Sequence, residues 1–271
     1  MPELPRISAI TTCKDRLAHL QQTLPRLMAE PFHEVVVVDF DCPSRAGDWV
    51  AAAFPTVKVV RVTETPIFHL ARARNLGGAA TSGSDWLFFI DVDTKVEPGF
   101  LGEMATRLRP GGFYLADPLE YDLYGTMFVA RADYERVGGY DEAIQGWGSE
   151  DEDFVEQLES IGRERRGFDA RWVSALAHDN EARTRHHRIK DQVVNNAVNF
   201  IYRTIKRDLR RQGLTLKLAA RQNIHAQITA AYLARGPAPR SVELVFDQFQ
   251  AFETRVTKAL RYTIDVPGAA S

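Results

Sequence analysis

Four consecutive valines, Val35 to Val38, set the strongest limit on what this chain can fold into. A β-branched run without period-two alternation suits a strand buried on both faces, as in a parallel sheet covered by helices on each side. Short apolar runs and amphipathic segments alternate around it: Arg6 to Thr12, Arg16 to Met28, Glu34 to Phe40, Ala46 to Ala53, Val57 to Val62, His69 to Thr81 and Trp86 to Ile90. The order is strand, helix, strand, helix, strand, helix, strand, which predicts an α/β nucleotide-binding half. Ligands of such sheets sit beyond the carboxyl ends of the strands. Thr11 to Asp15, Asp39 to Ser44, Thr63 to Phe68 and Asp91 to Thr94 should therefore converge on one crevice.

The pattern changes at Pro110 to short strands, Tyr124 to Ala130 and Arg171 to Ala177, with a Gly-rich loop and a helix between them. From Thr184 onward it reads as helical. Ile189, Val193, Val194, Ala197, Phe200, Ile201 and Ile205 form an apolar stripe, Gly213 breaks it, a second helix covers Leu214 to Leu233 and a third covers Val242 to Tyr262. The expected organisation is a domain over 1–180, in halves 1–110 and 111–180, and a helical extension over 181–271. With 271 residues and 45% hydrophobic content, one large core plus such an appendage is within reach.

A formal charge of -2 gives no electrostatic reason to expect a nucleic-acid partner. Cys13 and Cys42 are the only cysteines, at what the pattern places as neighbouring strand ends, so a disulfide framework is not expected. The N-terminal residues lack the apolar run of a signal peptide, and no stretch approaches the roughly 20 apolar residues of a membrane span. A cytoplasmic protein is the expectation.

Two segments carry chemistry. Phe88-Phe89-Ile90-Asp91-Val92-Asp93 places two carboxylates one residue apart at the end of a buried strand, where alternation points both the same way. Hard divalent cations take one or two carboxylates when phosphates and water fill the other positions. Asp pairs also serve as turn and cap residues, but this one precedes Glu97-Pro98-Gly99, where Pro98 suits the first position of a helix. The second segment is Gly146-Trp147-Gly148-Ser149-Glu150-Asp151-Glu152-Asp153-Phe154. Ser149 as a helix cap, with acids in the first turn, accounts for one or two of the carboxylates. Four of them behind a Gly-Trp-Gly loop repel one another unless a cation or ligand uses them. Trp147 offers a flat apolar face for a sugar ring, and a carboxylate there can act as general base on a hydroxyl.

Taken together, the DVD turn and the GWGSEDEDF stretch resemble enzymes of the β-1,4-galactosyltransferase type and related bacterial chondroitin-synthase-like enzymes. The resemblance implies a glycosyltransferase A-type (GT-A) fold: a mostly parallel central sheet flanked by helices, with 111–180 facing the acceptor. It implies that Asp93 binds Mn²⁺ or Mg²⁺ with His178 as a further ligand, while Asp91 faces the ribose or a metal-bound water. Asp151 would be the catalytic base, Glu150 an acceptor-binding carboxylate and Trp147 the aromatic of the sugar site. Phe68 to Gly77 looks like the segment ahead of the acidic strand, which points to Arg72 and Asn75 as donor-binding, with Arg74 equally at home on a solvated basic face. Thr11, Thr12, Asp15 and Arg16 resemble the first nucleobase loop and Asp39 and Asp41 the second; Phe40 between these two acids leaves open which one reaches the base. His186 and His187 read as surface residues.

The implied reaction is an inverting transfer of a sugar from a nucleotide diphosphate sugar, a UDP-sugar by the resemblance, to a glycan or other hydroxyl acceptor. A nucleotidyl- or phosphoryl-transferring enzyme can use the same acidic turn, although no Gly-Lys-Ser/Thr phosphate loop is present; a non-catalytic carbohydrate-binding protein would keep Trp147 without needing the acids. Near the C-terminus, Arg183, Arg185, Arg188, Lys190, Arg203, Lys206, Arg207, Arg210 and Arg211 outnumber Asp191 and Asp208. Such an excess serves solubility or docks peripherally on an anionic surface, the inner membrane face or an acidic polysaccharide.

Overall fold

The computed structural model describes residues 5–177, 184–234, 240–251 and 254–264. The chain forms two compact units, Met1–Asp141 with Glu150–Lys190, and Glu142–Ser149 with Asp191–Ser271. The segment Glu142–Ser149 lies inside the expected first domain in sequence but belongs to the second unit by contact.

The first unit is built on a seven-stranded sheet. Its strands are β1 (Ile7–Cys13), β2 (Glu34–Phe40), β3 (Lys58–Val62), β4 (Trp86–Phe89), β6 (Gly112–Asp117), β7 (Met127–Ala130) and β8 (Glu164–Asp169), in the order β3-β2-β1-β4-β7-β6-β8. Strand β7 runs antiparallel to both neighbours, and the remaining pairs are parallel. A short antiparallel pair, β5 (Thr94–Val96) with β9 (Val173–Ala175), follows the acidic turn. Both faces of the sheet are covered, as the valine run requires. Val35 and Val37 enter one core with Leu20, Leu24 and Leu27 of α1 (Leu17–Met28), Val50 of α2 (Ala46–Ala53) and Phe100 of α4 (Phe100–Arg107). Val36 and Val38 enter the other with Ala71 and Ala73 of α3 (Leu70–Ala80), Tyr134 of α5 (Arg131–Val137) and Phe154 of α6 (Glu150–Ser160). Each fully buried Val, Leu or Phe among them contributes roughly 1.5–3 kcal/mol.

In the second unit, α7 (Gln192–Arg211) starts at Asp191, whose carboxylate accepts from the N–H groups of Val193 and Val194, and it ends ahead of Gly213 at φ 76°. Helix α8 (Leu218–Leu233) follows. The expected third helix is instead an antiparallel hairpin of β10 (Arg240–Ala251) and β11 (Thr254–Ile264). Val242 and Leu244 point inward while Ser241, Glu243 and Val245 are exposed, so period two governs this segment. The buried stripe of α7 also differs from the expected one: Asn195, Val198, Asn199, Tyr202, Ile205 and Leu209 are buried, whereas Val193 and Phe200 are 74% and 55% exposed. Two smaller corrections concern helix starts. Pro98 precedes α4 by two residues, Gly99 being its cap, and Ser149 sits at φ 72°, not in the extended geometry of a capping serine.

Candidate active site

Arg74 organises the acids. It faces inward from α3 on the side that carries Ala71, Ala73, Gly77 and Gly78, and its side chain is 3% exposed. Its guanidinium donates to Asp151 Oδ1 at 2.6 Å and to Asp91 Oδ1 at 2.8 Å, and stands 3.7 Å from Glu150 Oε1. It also lies over the Tyr140 ring, 5.0 Å from its centre. Gly125 closes the other side: a Cβ there would strike the Asp91 carboxylate and Arg74. Burial pushes the carboxyls of Asp151 and Glu150 up, Asp151 well above the ordinary range, and neighbouring carboxylates add to the rise while Arg74 opposes it. A carboxyl poised upward in this way is a stronger base once ionised.

Asn75 braces this cluster. Its Oδ1 accepts from the Tyr134 hydroxyl and the Tyr140 N–H, and its Nδ2 donates to the Tyr140 carbonyl at 2.9 Å. Tyr140 in turn stacks on Phe154 of α6, ring centres 4.2 Å apart, one turn beyond Glu150 and Asp151. Asn75 thus fixes the loop before the acids, and Arg72, its expected companion, is exposed. Arg74 was the residue the sequence left undecided. The signal for it was helical phase: it shares the small-residue face that packs on the sheet, and Arg72 does not.

The strand-end loops do converge. Lys14 Nζ, buried, donates to the carbonyls of Phe40, Asp41 and Thr65 at 2.9–3.1 Å, which ties together the ends of β1, β2 and β3. Asp39 spends both oxygens on backbone, accepting from the N–H groups of Cys42 and Gly47 at 2.9 and 2.8 Å. Asp41 accepts from the Thr65 N–H and its side chain is 39% exposed, so of the two acids it is the more open. Thr11 and Thr12 are buried, and among the described residues Thr11 Oγ1 has no hydrogen-bond partner. Asp15 holds Ser44, Arg185 and His186; the His186 hydrogen bond at 3.0 Å is the main reason its carboxyl is held below the ordinary range. His187 is therefore not a surface residue, and His186 is only partly exposed. The His186 carbonyl accepts from the Phe68 N–H, and His187 is buried beside the Phe68 ring, where burial holds its imidazole down to about 4.

Asp91 and Asp93 part company in the turn, because β4 ends at Phe89 and alternation no longer applies. Asp93 lies 3.6 Å from the Arg16 guanidinium, while Asp91 is held by Arg74. Among the described residues no group of three or more His, Cys, Asp or Glu side chains is placed to hold a metal, and His178 lies outside the described residues. A hard carboxylate at a strand-end turn still fits a divalent cation that takes its other ligands from phosphate and water.

The Gly-Trp-Gly loop is built by the second unit. Asn199, wholly buried on α7, donates from Nδ2 toward the carbonyls of Gln145, Trp147 and Gly148 at 3.0, 3.3 and 2.9 Å. Its Oδ1 is 2.7 Å from His225 Nε2 on α8, so that nitrogen carries the proton. Gly146 and Gly148 have φ of 82° and 89°, and a Cβ on either would meet Asn195 or Asn196. Trp147 is half-buried within this loop, which leads directly into the first turn of α6.

A mostly parallel sheet with one reversed strand, strand-end loops meeting on one side and an acidic turn after β4 defines the GT-A class of nucleotide-binding fold. Residues 8–126 match the family model for glycosyl transferase family 2, and residues 114–187 match one described as the N-terminal domain of galactosyltransferase. The chain has the GT-A fold, and its resemblance to the galactosyltransferase type is carried by these two partial matches to glycosyltransferase families. Among solved structures it is similar to the mannosyltransferase PcManGT from Pyrobaculum calidifontis in complex with GDP-Man and Mn²⁺, at 16% identity over 86% of this chain and 75% of that chain, TM-score 0.58. It is also similar to S. aureus TarS 1-349, at 13% identity over 84% and 71% of the two chains, TM-score 0.58. GalNAc-T7 with UDP, GalNAc and Mn²⁺ aligns at 12% identity over 75% of this chain and 48% of that chain, TM-score 0.56. At these identities the likeness is one of fold. No curated protein matches the chain.

Proposed function

We propose that this chain is a glycosyltransferase that moves a sugar from a UDP-sugar to an acceptor hydroxyl with inversion, Asp151 taking the hydroxyl proton. The observation that carries this reading is that Asp91, on the donor-side turn, and Asp151, at the start of α6, share one buried guanidinium. Arg74 thereby sets donor turn and base in fixed relation, which is what a single displacement needs. Thr11, Thr12, Asp15, Arg16 and Asp41 line the nucleotide end, with Asp39 shaping the loop that presents Asp41. Glu150 and Trp147 serve the acceptor. Asp93 and His178 would hold Mn²⁺ or Mg²⁺, which when bound neutralises the departing diphosphate. The fold neighbours crystallised with GDP-Man or UDP and with Mn²⁺ support a nucleotide-sugar donor and a divalent metal. No described helix is long and apolar enough to cross a membrane. A cytoplasmic site of action, with peripheral docking on an anionic surface through α7, completes the proposal.

The test is a panel of nucleotide sugars offered with and without Mn²⁺, read as donor binding and as turnover. Wild type should bind UDP more tightly with the metal, and Asp93→Ala should lose that difference. Asp151→Asn should keep nucleotide affinity within a few-fold and lose roughly 10²-fold in turnover, the usual scale for a general base. Equal UDP affinity with and without Mn²⁺ in wild type would remove the metal from the reading. Normal turnover in Asp151→Asn would remove the base.

A further inference from the structure

Strand β1 ends in Cys13, and the turn after β2 carries Cys42; their sulfurs are 4.0 Å apart and both are free thiols. The Cys42 sulfur accepts from the Asp15 N–H at 3.2 Å, and the backbone N–H groups of Ala46 and Ser44 also face it. Three amides and a thiol donor around one sulfur form an environment that favours a thiolate. Cys42 is 8% exposed and Cys13 fully buried, so an oxidant meets Cys42 first. The Cys13 hydrogen bond, followed by these amides, holds the Cys42 thiol down to about 5, against the effect of burial, while Cys13 is pushed up.

We propose that Cys42 and Cys13 are a peroxide-sensitive dithiol, Cys42 reacting first and Cys13 resolving it to a disulfide that ties the β1 loop to the β2 turn. The Cys42 thiolate attacks one oxygen of hydrogen peroxide, the O–O bond breaks, and a sulfenic acid and hydroxide result. Cys13 gives its proton to the hydroxide and attacks the Cys42 sulfur, and the sulfenic oxygen leaves as a second hydroxide, which becomes water with the proton that Cys42 released to solvent on ionising. Two thiols lose two electrons and two protons in all, and peroxide becomes two waters. The sulfurs must close from 4.0 Å to about 2 Å, which side-chain rotation at two adjacent strand ends can supply. The consequence rests on the proposed donor site: Thr11, Thr12, Asp15 and Asp41 sit on the two tied segments, so oxidation should change nucleotide affinity.

Wild type is exposed to hydrogen peroxide in its native state, alkylated and weighed by intact mass spectrometry. The expected product is a monomer lighter by two hydrogens, both cysteines shielded from alkylation until a reductant is added. Cys13→Ser should stop at a sulfenic acid that dimedone traps, and Cys42→Ser should leave Cys13 as a thiol. Wild type with both thiols still alkylated after peroxide, or oxidised only between chains, would overturn the proposal without need of any variant. Oxidation of Cys42→Ser at the wild-type rate would overturn the order of attack. UDP affinity is measured on both redox forms. A disulfide that leaves affinity unchanged would overturn the regulatory consequence alone, and loss of UDP binding in the reduced form would instead overturn the donor-site reading.

Discussion

Arg74 faces three carboxylates from inside the fold, and what its removal does depends on their protonation. Arg74→Gln leaves Asp91, Glu150 and Asp151 crowded with no counter-charge, and breaking a buried pair this way costs about 3–5 kcal/mol. Without the guanidinium, which opposes their rise, the Glu150 and Asp151 carboxyls go up further, so the folded state binds more protons than the unfolded chain. Stability is then lost as pH rises through those values and recovered on acidification. Denaturant unfolding at pH 5 and pH 8 reads this directly; a loss of equal size at both would mean that Arg74 acts by packing alone. Arg74→Lys keeps the charge but cannot donate to Asp91 and Asp151 at once in a planar fork. It should restore most of the stability and little of the turnover.

At the scale of the element, α7 shows why an apolar stripe is an incomplete guide to a buried face. Val193 and Phe200 look like core residues, but the helix turns Asn195 and Asn199 inward because the loop beneath presents bare carbonyls. Asn199→Ala would leave those carbonyls without their shared donor and His225 Nε2 without its acceptor. The expected cost is about 1–3 kcal/mol, with faster proteolysis within residues 142–149. A variant that unfolds at the wild-type denaturant midpoint would show that the three carbonyls find other donors. The hairpin of β10 and β11 was missed for a related reason: its charged and polar residues fall at spacings that suit a solvated helix as well as a strand edge. Pairing of Val242 with Tyr262 and Leu244 with Leu260 decides between them, and a single segment cannot display it.

Over the whole molecule the charge is -2 but unevenly spread. The basic run is divided between the two units. Arg185 pairs with Asp15 in the first unit, while Arg203, Lys206, Arg207, Arg210 and Arg211 ride on α7 in the second, together with the exposed Val193 and Phe200. Basic residues near an anionic bilayer contribute about 1 kcal/mol each, and exposed apolar side chains add to this. The protein should therefore sediment with anionic vesicles at low salt and not with neutral ones, and changing Arg207, Arg210 and Arg211 to Glu should release it. Equal retention on both vesicle types would leave the docking proposal without support.

The sequence by itself determined the doubly covered sheet, the acidic turn and the acidic helix start. Their signals, an unbroken valine run and carboxylates at fixed short spacings, are set by backbone geometry within a few residues. Only the tertiary structure decided that Arg74 serves Asp91 and Asp151, 17 and 77 residues away, and that Asp39 is spent on backbone while Asp41 stays open. It also decided that Glu142–Ser149 belongs with the C-terminal helices. The reason is physical: a charge or a carbonyl is satisfied by whatever approaches it in space, and that approach is fixed only when distant segments pack.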